Sequence, residues 1–353
     1  MVIAYIKKSC YNMFLHSVRL YVCRDCSCCY YQSRISPVLV ITDDGRDVDD
    51  VTALAYLVGA GVNIAGIVTT HMIPDRRALI AREYMNHLDM PDVPIGVGSI
   101  FPMSKEDEAL VRYLREHTIR YNGSTMTYEG MGLVPCFPSA EEVIMGAIKK
   151  YGKDLRVAAM APMTDLAHFA QSHPDVFSQI GGIFIQGQAT VENGALVPDP
   201  QAYNIKEDEE AASTIFAWQD KIPITLVGKF AAYQVPLERA DFRAFAETGN
   251  PAGKYLEDHA IKGIEAFAQP APDIFRRVFG IDPSRLSELS ELSKPYDALV
   301  AMAITDPDHF APIRLGHHAP IGMSSENPGI INPARTKQAI IQTVLRALTR
   351  GRP

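Results

Sequence analysis

The stretch Val38-Leu-Val-Ile-Thr-Asp-Asp-Gly-Arg-Asp-Val-Asp-Asp-Val-Thr-Ala-Leu54 joins a short apolar run to a helical pattern through a dense group of aspartates. The run is rich in β-branched residues, which predicts a buried strand followed directly by a helix. The aspartates are Asp43, Asp44, Asp47, Asp49 and Asp50. Carboxylates suit the positive end of a helix, but so many of them close together repel one another. A hard divalent cation with oxygen ligands would relieve that repulsion, whereas a solvated acidic turn is the alternative.

The composition is that of an ordinary globular protein with ample apolar residues for a core. Of 353 residues, 47% are hydrophobic and 21% are charged, and the net charge is -7. The length suits one large α/β domain or two smaller ones. An acidic chain lacks the basic footprint of nucleic-acid binding, and no apolar stretch approaches the ~20 residues of a membrane span. We therefore expect neither a nucleic acid nor a membrane as a partner.

The cysteines are concentrated near the amino terminus. Five of the six are Cys10, Cys23, Cys26, Cys28 and Cys29. A body with the single further cysteine Cys136 is no disulfide scaffold, which indicates a reducing, cytoplasmic environment. The cluster lacks a second pair of ligands at the spacing of a zinc finger. We expect residues 1–36 to be a poorly ordered extension and residues 37–353 to form a single domain.

Strand and helix patterns alternate from residue 37 onward. We predict strands at residues 38–42, 63–70, 93–98, 155–161, 180–186 and 222–227. We predict helices at residues 49–59, 76–88, 139–152, 164–172, 208–218, 237–247, 251–268, 296–304 and 336–350, and a hairpin at 306–323. Such alternation predicts an open, mostly parallel α/β sheet with helices on both faces, similar to a Rossmann fold. In such sheets ligands bind at the carboxyl ends of the strands, where the aspartates, His71, Met160 and Gln186 fall.

Four ordered motifs resemble those of the inosine/uridine-preferring nucleoside hydrolases. Thr42-Asp43-Asp44-Gly45 followed by Asp49-Asp50 is similar to the family's D-T-D-P-G-x-D-D, with two extra residues before the final pair. The other three are Met160-Ala-Pro-Met-Thr-Asp-Leu-Ala167, similar to T-G-P-L-T-N-L-A; Gln186-Gly187 with Ala202-Tyr203-Asn204, similar to M-G-G with E-F-N; and Tyr296-Asp297-Ala298-Leu299, similar to H-D-P-L. The resemblance spans about residues 37 to 345 and implies the nucleoside hydrolase fold.

The resemblance implies an enzyme that hydrolyses the N-glycosidic bond of a ribonucleoside or related N-riboside with one bound Ca²⁺. The implied metal ligands are Asp43, Asp50, the carbonyl of Met160, and Asp297, with Asp47 as an alternative to Asp43. Asp43 would also be the general base that activates a water on the metal. The implied catalytic residues are Asp43, Asp49, Asn204 and Tyr296, and the implied substrate-binding residues are Asp49, Asn204, His71 and Gln186. The family also implies a homodimer or homotetramer.

The departures from the family pattern concern the substrate side of the site. The glutamate of E-F-N is Ala202, which removes a carboxylate that would hold the sugar, and the histidine of H-D-P-L is Tyr296. The H-G-x-x-G-L-G segment is present only as Tyr128-Glu-Gly-Met-Gly-Leu133. Tyrosine is a weaker acid than histidine, but it donates a hydrogen bond or stacks on a base. Two alternatives stay open: action on another polyol or glycoside, and a metal- or ligand-binding protein with little turnover.

Overall fold

The computed structural model describes residues 35–45, 48–100, 136–268, 276 and 282–350. Most of the expected extension at residues 1–36 lies outside the described residues, as do Asp47 and the segment 128–133. The division of the chain at residue 36 therefore stays a prediction. None of the described helices is long and apolar enough to cross a membrane.

Seven of the strands in the described residues form one sheet, in the order β11-β8-β5-β4-β1-β2-β3. The strands are β1 (Val38–Thr42), β2 (Ile64–Thr69), β3 (Ile95–Val97), β4 (Arg156–Ala159), β5 (Gly182–Gln186), β6 (Ala189–Glu192), β7 (Ala195–Pro198), β8 (Ile224–Val227), β9 (Leu237–Glu238), β10 (Glu291–Ser293) and β11 (Ala319–Ile321). Every pairing within the main sheet is parallel. The predicted open, mostly parallel sheet is therefore confirmed.

Helices connect the strands of this sheet. They are α1 (Asp49–Gly59), α2 (Pro74–His87), α3 (Ala140–Tyr151), α4 (Thr164–Ser172), α5 (Pro174–Phe177), α6 (Tyr203–Lys206), α7 (Glu209–Phe216), α8 (Lys229–Ala232), α9 (Arg239–Glu247), α10 (Pro251–Ala268), α11 (Tyr296–Thr305) and α12 (Pro333–Leu348). Short 3₁₀ turns lie at Gly152–Asp154, Pro283–Glu288 and Pro307–His309. The predicted helices are all present, with ends shifted by a few residues at most.

The central strand β1 is buried on both faces. Val38 and Val40 belong to one apolar cluster, which contains most of α1, and Leu39 and Ile41 belong to a second cluster, which contains α3. Because successive side chains of a strand point to opposite faces, this division places helices on both sides of the sheet. The unbroken apolar sequence of β1 is what such a doubly covered strand requires.

The chain changes direction across the sheet at β1. From this strand it proceeds through β2 to β3 on one side, and then returns to β4 and β5 on the other. The loops that leave β1 and β4 at their carboxyl ends therefore run to opposite faces and leave a crevice between them. This switch point is where ligands bind in open parallel sheets.

The predicted hairpin at residues 306–323 is present only as a short antiparallel turn inside that segment. Leu315 and His318 exchange backbone hydrogen bonds at 3.2 and 2.8 Å, and Ile313 N donates to Pro320 O at 2.8 Å. The segment also contains the turn Pro307–His309 and β11, which joins the main sheet parallel to β8. A second antiparallel hairpin, formed by β6 and β7, follows directly after β5. Its tip, Asn193–Gly194, has φ angles of 51° and 84°, as tight hairpin turns require.

Asp165 holds the ends of two strands against α4. Its carboxylate accepts hydrogen bonds from Thr70 Oγ1 at 2.6 Å, from Ser99 N at 2.9 Å and from Ser99 Oγ at 2.8 Å. The neighbouring Gly98 has no room for a side chain, since a Cβ there would lie 2.2 Å from Asp165 Oδ2. These contacts fix the carboxyl ends of β2 and β3, and sequence analysis did not single out Asp165.

Candidate functional site

A cavity of about 800 Å³ lies at the carboxyl edge of the main sheet. The segments that follow β1, β4, β5 and β8 line it, and α10 and α11 contribute to its wall. Its lining includes Asp43, Met160, Gln186, Lys229 and Asp297. The cavity therefore coincides with the switch point between β1 and β4, where the topology predicts a ligand site.

Three buried aspartates, here called the aspartate group, converge at this cavity. Asp49 and Asp50 lie in the first turn of α1, and Asp297 lies in the first turn of α11. One carboxylate oxygen of each lies within 4.8 Å of the others, and no member is more than 6% exposed. The two helices pack together, with Thr305 Oγ1 at 3.4 Å from Tyr56 Oη. Both helix amino ends meet here, and their macrodipoles stabilise the carboxylates.

The loop after β1 orients Asp50. Its Oδ1 accepts hydrogen bonds from Thr42 Oγ1 and, at 3.3 Å, from the backbone N–H of Asp43. Asp43 is half-buried and lines the cavity, but it is not a member of the aspartate group. Sequence analysis predicted Asp43 as a metal ligand and Asp49 as a ribose contact. The fold gathers the carboxylate of Asp49 with those of Asp50 and Asp297, and the ligand role of Asp43 and the ribose contact of Asp49 stay predictions.

The chemistry of the aspartate group suits a hard divalent cation. Three carboxylates within 4.8 Å of one another repel strongly in a buried position, and a dication between them would remove that repulsion. All three donors are carboxylates, which favours Ca²⁺ or Mg²⁺ over metals that prefer sulfur or imidazole ligands. The residues present therefore fit a bound divalent cation.

Asn204 connects the segments that follow β4 and β5. Its Nδ2 donates hydrogen bonds to Met160 O at 3.0 Å and to Gln186 Oε1 at 2.7 Å. Both amide hydrogens are therefore engaged within the protein, and Oδ1 is the atom that remains for a ligand. The carbonyl of Met160 keeps a second lone pair, so it can accept this bond and still coordinate a cation. All three residues line the cavity.

A buried arginine joins the loops that follow β1 and β2. Arg77, 1% exposed, donates from Nη1 to the carbonyl of Asp44 and from Nε to the carbonyl of His71, at 3.1 Å. The carboxylate of Asp44 is fully buried and accepts no hydrogen bond from the described residues. Burial raises the pKa of Asp44 to about 7, against the lowering effect of Arg77 and with a smaller raising effect of Asp43. Asp44 does not line the cavity, and its contact with Arg77 holds the loop after β1 on the side away from the cavity.

His71 lies beside the cavity rather than at its surface. Its Nε2 is 3.9 Å from Glu207 Oε2, and its ring centroid is 6.4 Å from that of Tyr203, which does line the cavity. His71 and Met72 have φ angles of 68° and 55°, a left-handed backbone conformation that residues other than glycine rarely adopt. Such costly conformations persist where the surrounding structure enforces them. A substrate-binding role of His71 would therefore act through Tyr203.

A comparison with protein families identifies the family of this fold. Residues 38–352 match the model of the inosine-uridine preferring nucleoside hydrolases. The chain belongs to this family. Its members hydrolyse N-glycosyl bonds, so the predicted family and enzyme class are both confirmed.

Similar proteins are distant in sequence but close in fold. The pyrimidine-specific ribonucleoside hydrolase RihA of Salmonella enteritidis PT4 is 24% identical over 217 residues, which are 61% of this chain and 67% of that protein. The type III effector XopQ, solved in complex with adenosine diphosphate ribose, matches with a TM-score of 0.71 at 22% identity, covering 89% of this chain and 94% of XopQ. A purine-preferring ribonucleoside hydrolase from Gardnerella vaginalis matches with a TM-score of 0.63 at 19% identity, covering 88% of this chain and 99% of that one. These structural likenesses show the shared fold.

Two departures from the nucleoside hydrolase pattern lie in the cavity wall. Ala202 precedes α6 and brings no polar side chain to the position of the family's glutamate. Tyr296 stands directly before Asp297, and its ring centroid is 6.3 Å from that of Tyr233 in an edge-to-face arrangement. Tyr233 is 45% exposed, so this aromatic pair offers a face to a planar base.

Several lining residues of this nucleoside hydrolase were missed by sequence analysis. Lys229 and Tyr233 follow the predicted strand at 222–227, and the rule that located Gln186 at a strand's carboxyl end would have located Lys229 too. His259 is 2% exposed and reaches the cavity from the middle of α10. Nothing in its local sequence distinguishes His259 from a structural histidine, because its position depends on how α10 packs.

Proposed function

We propose that this chain hydrolyses the N-glycosidic bond of a ribonucleoside or related N-riboside, with a bound Ca²⁺ at the aspartate group. The observation that carries the proposal is the convergence of Asp49, Asp50 and Asp297 in a cavity at the switch point of the sheet. Family membership supplies the reaction class. The neighbouring carbonyl of Met160 would complete the protein donors, since it follows β4 at the same edge and lines the same cavity.

The cation would be held by the carboxylates of Asp49, Asp50 and Asp297. When bound, such an ion lowers the pKa of a coordinated water and offers coordination positions to two vicinal hydroxyls. The hydrogen bonds from Thr42 and Asp43 hold Asp50 in a fixed orientation for this role. Asp43 is a further proposed ligand, and Asp47, which lies outside the described residues, stays the alternative to it.

Asp43 is the proposed general base. It is half-buried, lines the cavity and lies next to the aspartate group through its backbone bond to Asp50. Its carboxylate would accept the proton of the attacking water. The sugar in the transition state has oxocarbenium character, so the negative charges around it favour that state over the neutral ground state.

Asn204, Gln186 and Tyr296 are the proposed substrate contacts. Because its hydrogens are occupied by Met160 and Gln186, Asn204 would accept a hydrogen bond from a ribose hydroxyl through Oδ1. Tyr296 would donate a hydrogen bond to the leaving base or pack against it, together with Tyr233. We further propose a cytoplasmic enzyme that forms a homodimer or homotetramer, as the family resemblance and the cysteine usage suggest.

A second candidate is action on another polyol or glycoside, or ligand binding with little turnover. It is favoured by Ala202 and Tyr296, which remove the family's carboxylate grip on the sugar and its histidine. A site of this kind would keep the cation and lose efficient release of a base.

Release of reducing sugar from a panel of nucleosides tests the proposal. The panel is inosine, uridine, adenosine, cytidine, guanosine and nicotinamide riboside, each with untreated protein and with protein dialysed against EDTA. We expect turnover of at least one compound, its loss on dialysis and its recovery with Ca²⁺. Asp43→Ala should abolish turnover, whereas Asp308→Asn, at an exposed carboxylate outside the cavity, should retain it. Absence of turnover with the cation still bound would favour the second candidate.

A further inference from the structure

Lys229 brings a positive charge into the cavity at the carboxyl end of β8. It is the first residue of α8, it is half-buried, and it lines the cavity. Its ammonium lies 5.4 Å from the ring centroid of Phe230. Tyr233 follows four residues later, and its backbone N–H donates to the carbonyl of Lys229 at 3.1 Å, so the two side chains share one face of the turn. The ammonium of Lys229 therefore lies on the same side of the cavity as the aromatic pair Tyr233 and Tyr296.

No carboxylate of the described residues forms an ion pair with Lys229. Lys294 is the other lysine among the described lining residues, and its Nζ is paired with Glu291, which lines the same wall. Within the described residues, the charge of Lys294 is thus balanced by a carboxylate, and that of Lys229 is not. A half-buried ammonium that is not paired with a carboxylate suits the binding of an anion, because hydrogen bonds between ionised groups are strong.

The order of the strands separates Lys229 from the aspartate group. Three strand spacings lie between β1 and β8, and at about 4.8 Å each they place the two carboxyl ends roughly 14 Å apart. Among the described lining residues, the carboxylates of the aspartate group therefore lie at one end of the cavity and the ammonium of Lys229 at the other. Its volume of about 800 Å³ lies in the upper part of the range for small-molecule pockets, about 300–1,000 Å³, which leaves room for a charged substituent.

We propose that the ligand of this cavity is an anionic N-riboside, a ribose that carries a base and a phosphate or carboxylate group, and that Lys229 binds the anionic group. This inference rests on the proposed function for the position of the ribose at the aspartate group. The opposite charges at the two ends of the cavity give the ligand one orientation, because an anionic group is repelled by the aspartates and attracted by Lys229.

Isothermal titration at fixed, low ionic strength tests the inference with matched neutral and anionic ligands. Uridine is compared with uridine 5′-monophosphate, which is charged on the sugar, and with orotidine, which is charged on the base. Inosine is compared with inosine 5′-monophosphate, and inorganic phosphate is titrated alone. We expect at least one anionic riboside to bind about tenfold more tightly than its neutral parent. The ratio of the two affinities should fall to near one in Lys229→Met.

Lys221→Met is the matched control, because Lys221 lies before the amino end of the same strand, over the ring of Trp218 at 4.9 Å. It should keep the affinity ratio of the unaltered protein. Equal binding of neutral and anionic ligands, no binding of any anionic riboside, or a preference that survives in Lys229→Met would each overturn the inference. Sugar release without such a preference would refute the inference alone. A preference without sugar release from any compound would refute hydrolysis and leave the anion site standing.

Discussion

The side-chain amide of Asn204 donates a hydrogen bond to the main-chain carbonyl of Met160 at 3.0 Å, and this contact joins a proposed substrate residue to a proposed metal ligand. The same amide bonds Gln186 Oε1 at 2.7 Å. Asn204 therefore sets the orientation of a carbonyl that would face the cation. We therefore expect Asn204 to affect catalysis in two ways, by contacting the substrate and by orienting the carbonyl of Met160. Replacing its side-chain amide by a carboxylate tests the second effect, because the carboxylate cannot donate a hydrogen bond to that carbonyl.

Asn204→Asp should lower kcat/KM by about 10- to 100-fold and weaken cation binding. The substitution replaces a donor by a carboxylate oxygen opposite two acceptors, Met160 O and Gln186 Oε1, so the contacts become repulsive. Steady-state kinetics and cation titration measure the two effects. Asn193→Asp, at the exposed tip of the β6–β7 hairpin, is the control that should behave as the unaltered protein. Normal cation affinity in Asn204→Asp would contradict the role of the Met160 contact.

Arg77→Met should lower the free energy of unfolding by about 2–4 kcal/mol, because it leaves two buried carbonyls without a donor. These are the carbonyls of Asp44 and His71 in the loops after β1 and β2. Denaturant unfolding measures the change. Arg77→Lys should recover part of the loss, since one ammonium can reach only some of the same acceptors. Arg335→Met, at an exposed position, should have little effect, and an equally small effect of Arg77→Met would refute the interpretation.

Removal of divalent cations should lower the thermal stability of the protein. An ion that binds only the folded state at about 100 times its Kd stabilises by about 2.7 kcal/mol, so Ca²⁺ should raise the melting temperature after EDTA treatment. Asp297→Asn should abolish this rise, because it takes one carboxylate from the aspartate group. Differential scanning calorimetry with Ca²⁺, Mg²⁺ and no added metal measures it. Asp308→Asn should preserve the rise; its persistence in Asp297→Asn would place the cation elsewhere.

Stability should fall as the pH drops from about 7.5 to 5.5, in part through His318. Burial lowers the pKa of His318, the nearby His317 lowers it further, and Asp220 opposes them. The neutral ring is required because His318 Nδ1 accepts the backbone N–H of Ile224 at 3.1 Å. A depressed pKa in the folded state means that the unfolded chain takes up the proton first, so stability present above the ordinary histidine pKa is lost on acidification.

Urea unfolding across this pH range, compared between the unaltered protein and His318→Asn, measures the contribution of His318. Asparagine offers an acceptor that does not titrate, so the pH dependence should be weaker in the variant. His168→Asn, at an exposed position of α4, is the control and should leave the slope unchanged. If the free energy of unfolding of His318→Asn depended on pH as strongly as that of the unaltered protein, His318 would not contribute to the pH dependence.

The parts of the fold that depend on local pattern were predictable from the sequence. The apolar run at β1 predicts a strand, and the helical pattern of α1 predicts a helix that begins a few residues later. The role of the last strand in the segment 306–323 could not be predicted in this way, although the short antiparallel turn before it could. Its strand, Ala319–Ile321, finds its partner in β8, far away in the chain, and local alternation does not reveal which strands will pair.

The location of the site could be predicted from the sequence, but the arrangement of side chains within it could not. The rule that ligands bind at strand carboxyl ends located Asp43, Met160 and Gln186, which all line the cavity. Which aspartates converge depends on how the loop after β1 accommodates its extra residues, so motif matching did not reveal that the carboxylate of Asp49 lies close to those of Asp50 and Asp297. Arg77 gave no signal in the sequence, because its partners are backbone carbonyls of two loops that only the folded chain brings together.

The aspartate group draws its members from opposite ends of the described chain. Asp49 and Asp50 are made early during synthesis, and Asp297 is made only after the central strands of the sheet have emerged. Domains fold as units while the ribosome extends them from the amino terminus. Until Asp297 has been synthesised, water and counterions therefore have to screen the repulsion between the carboxylates that follow β1. The proposed cation site is therefore complete only after α11 has docked.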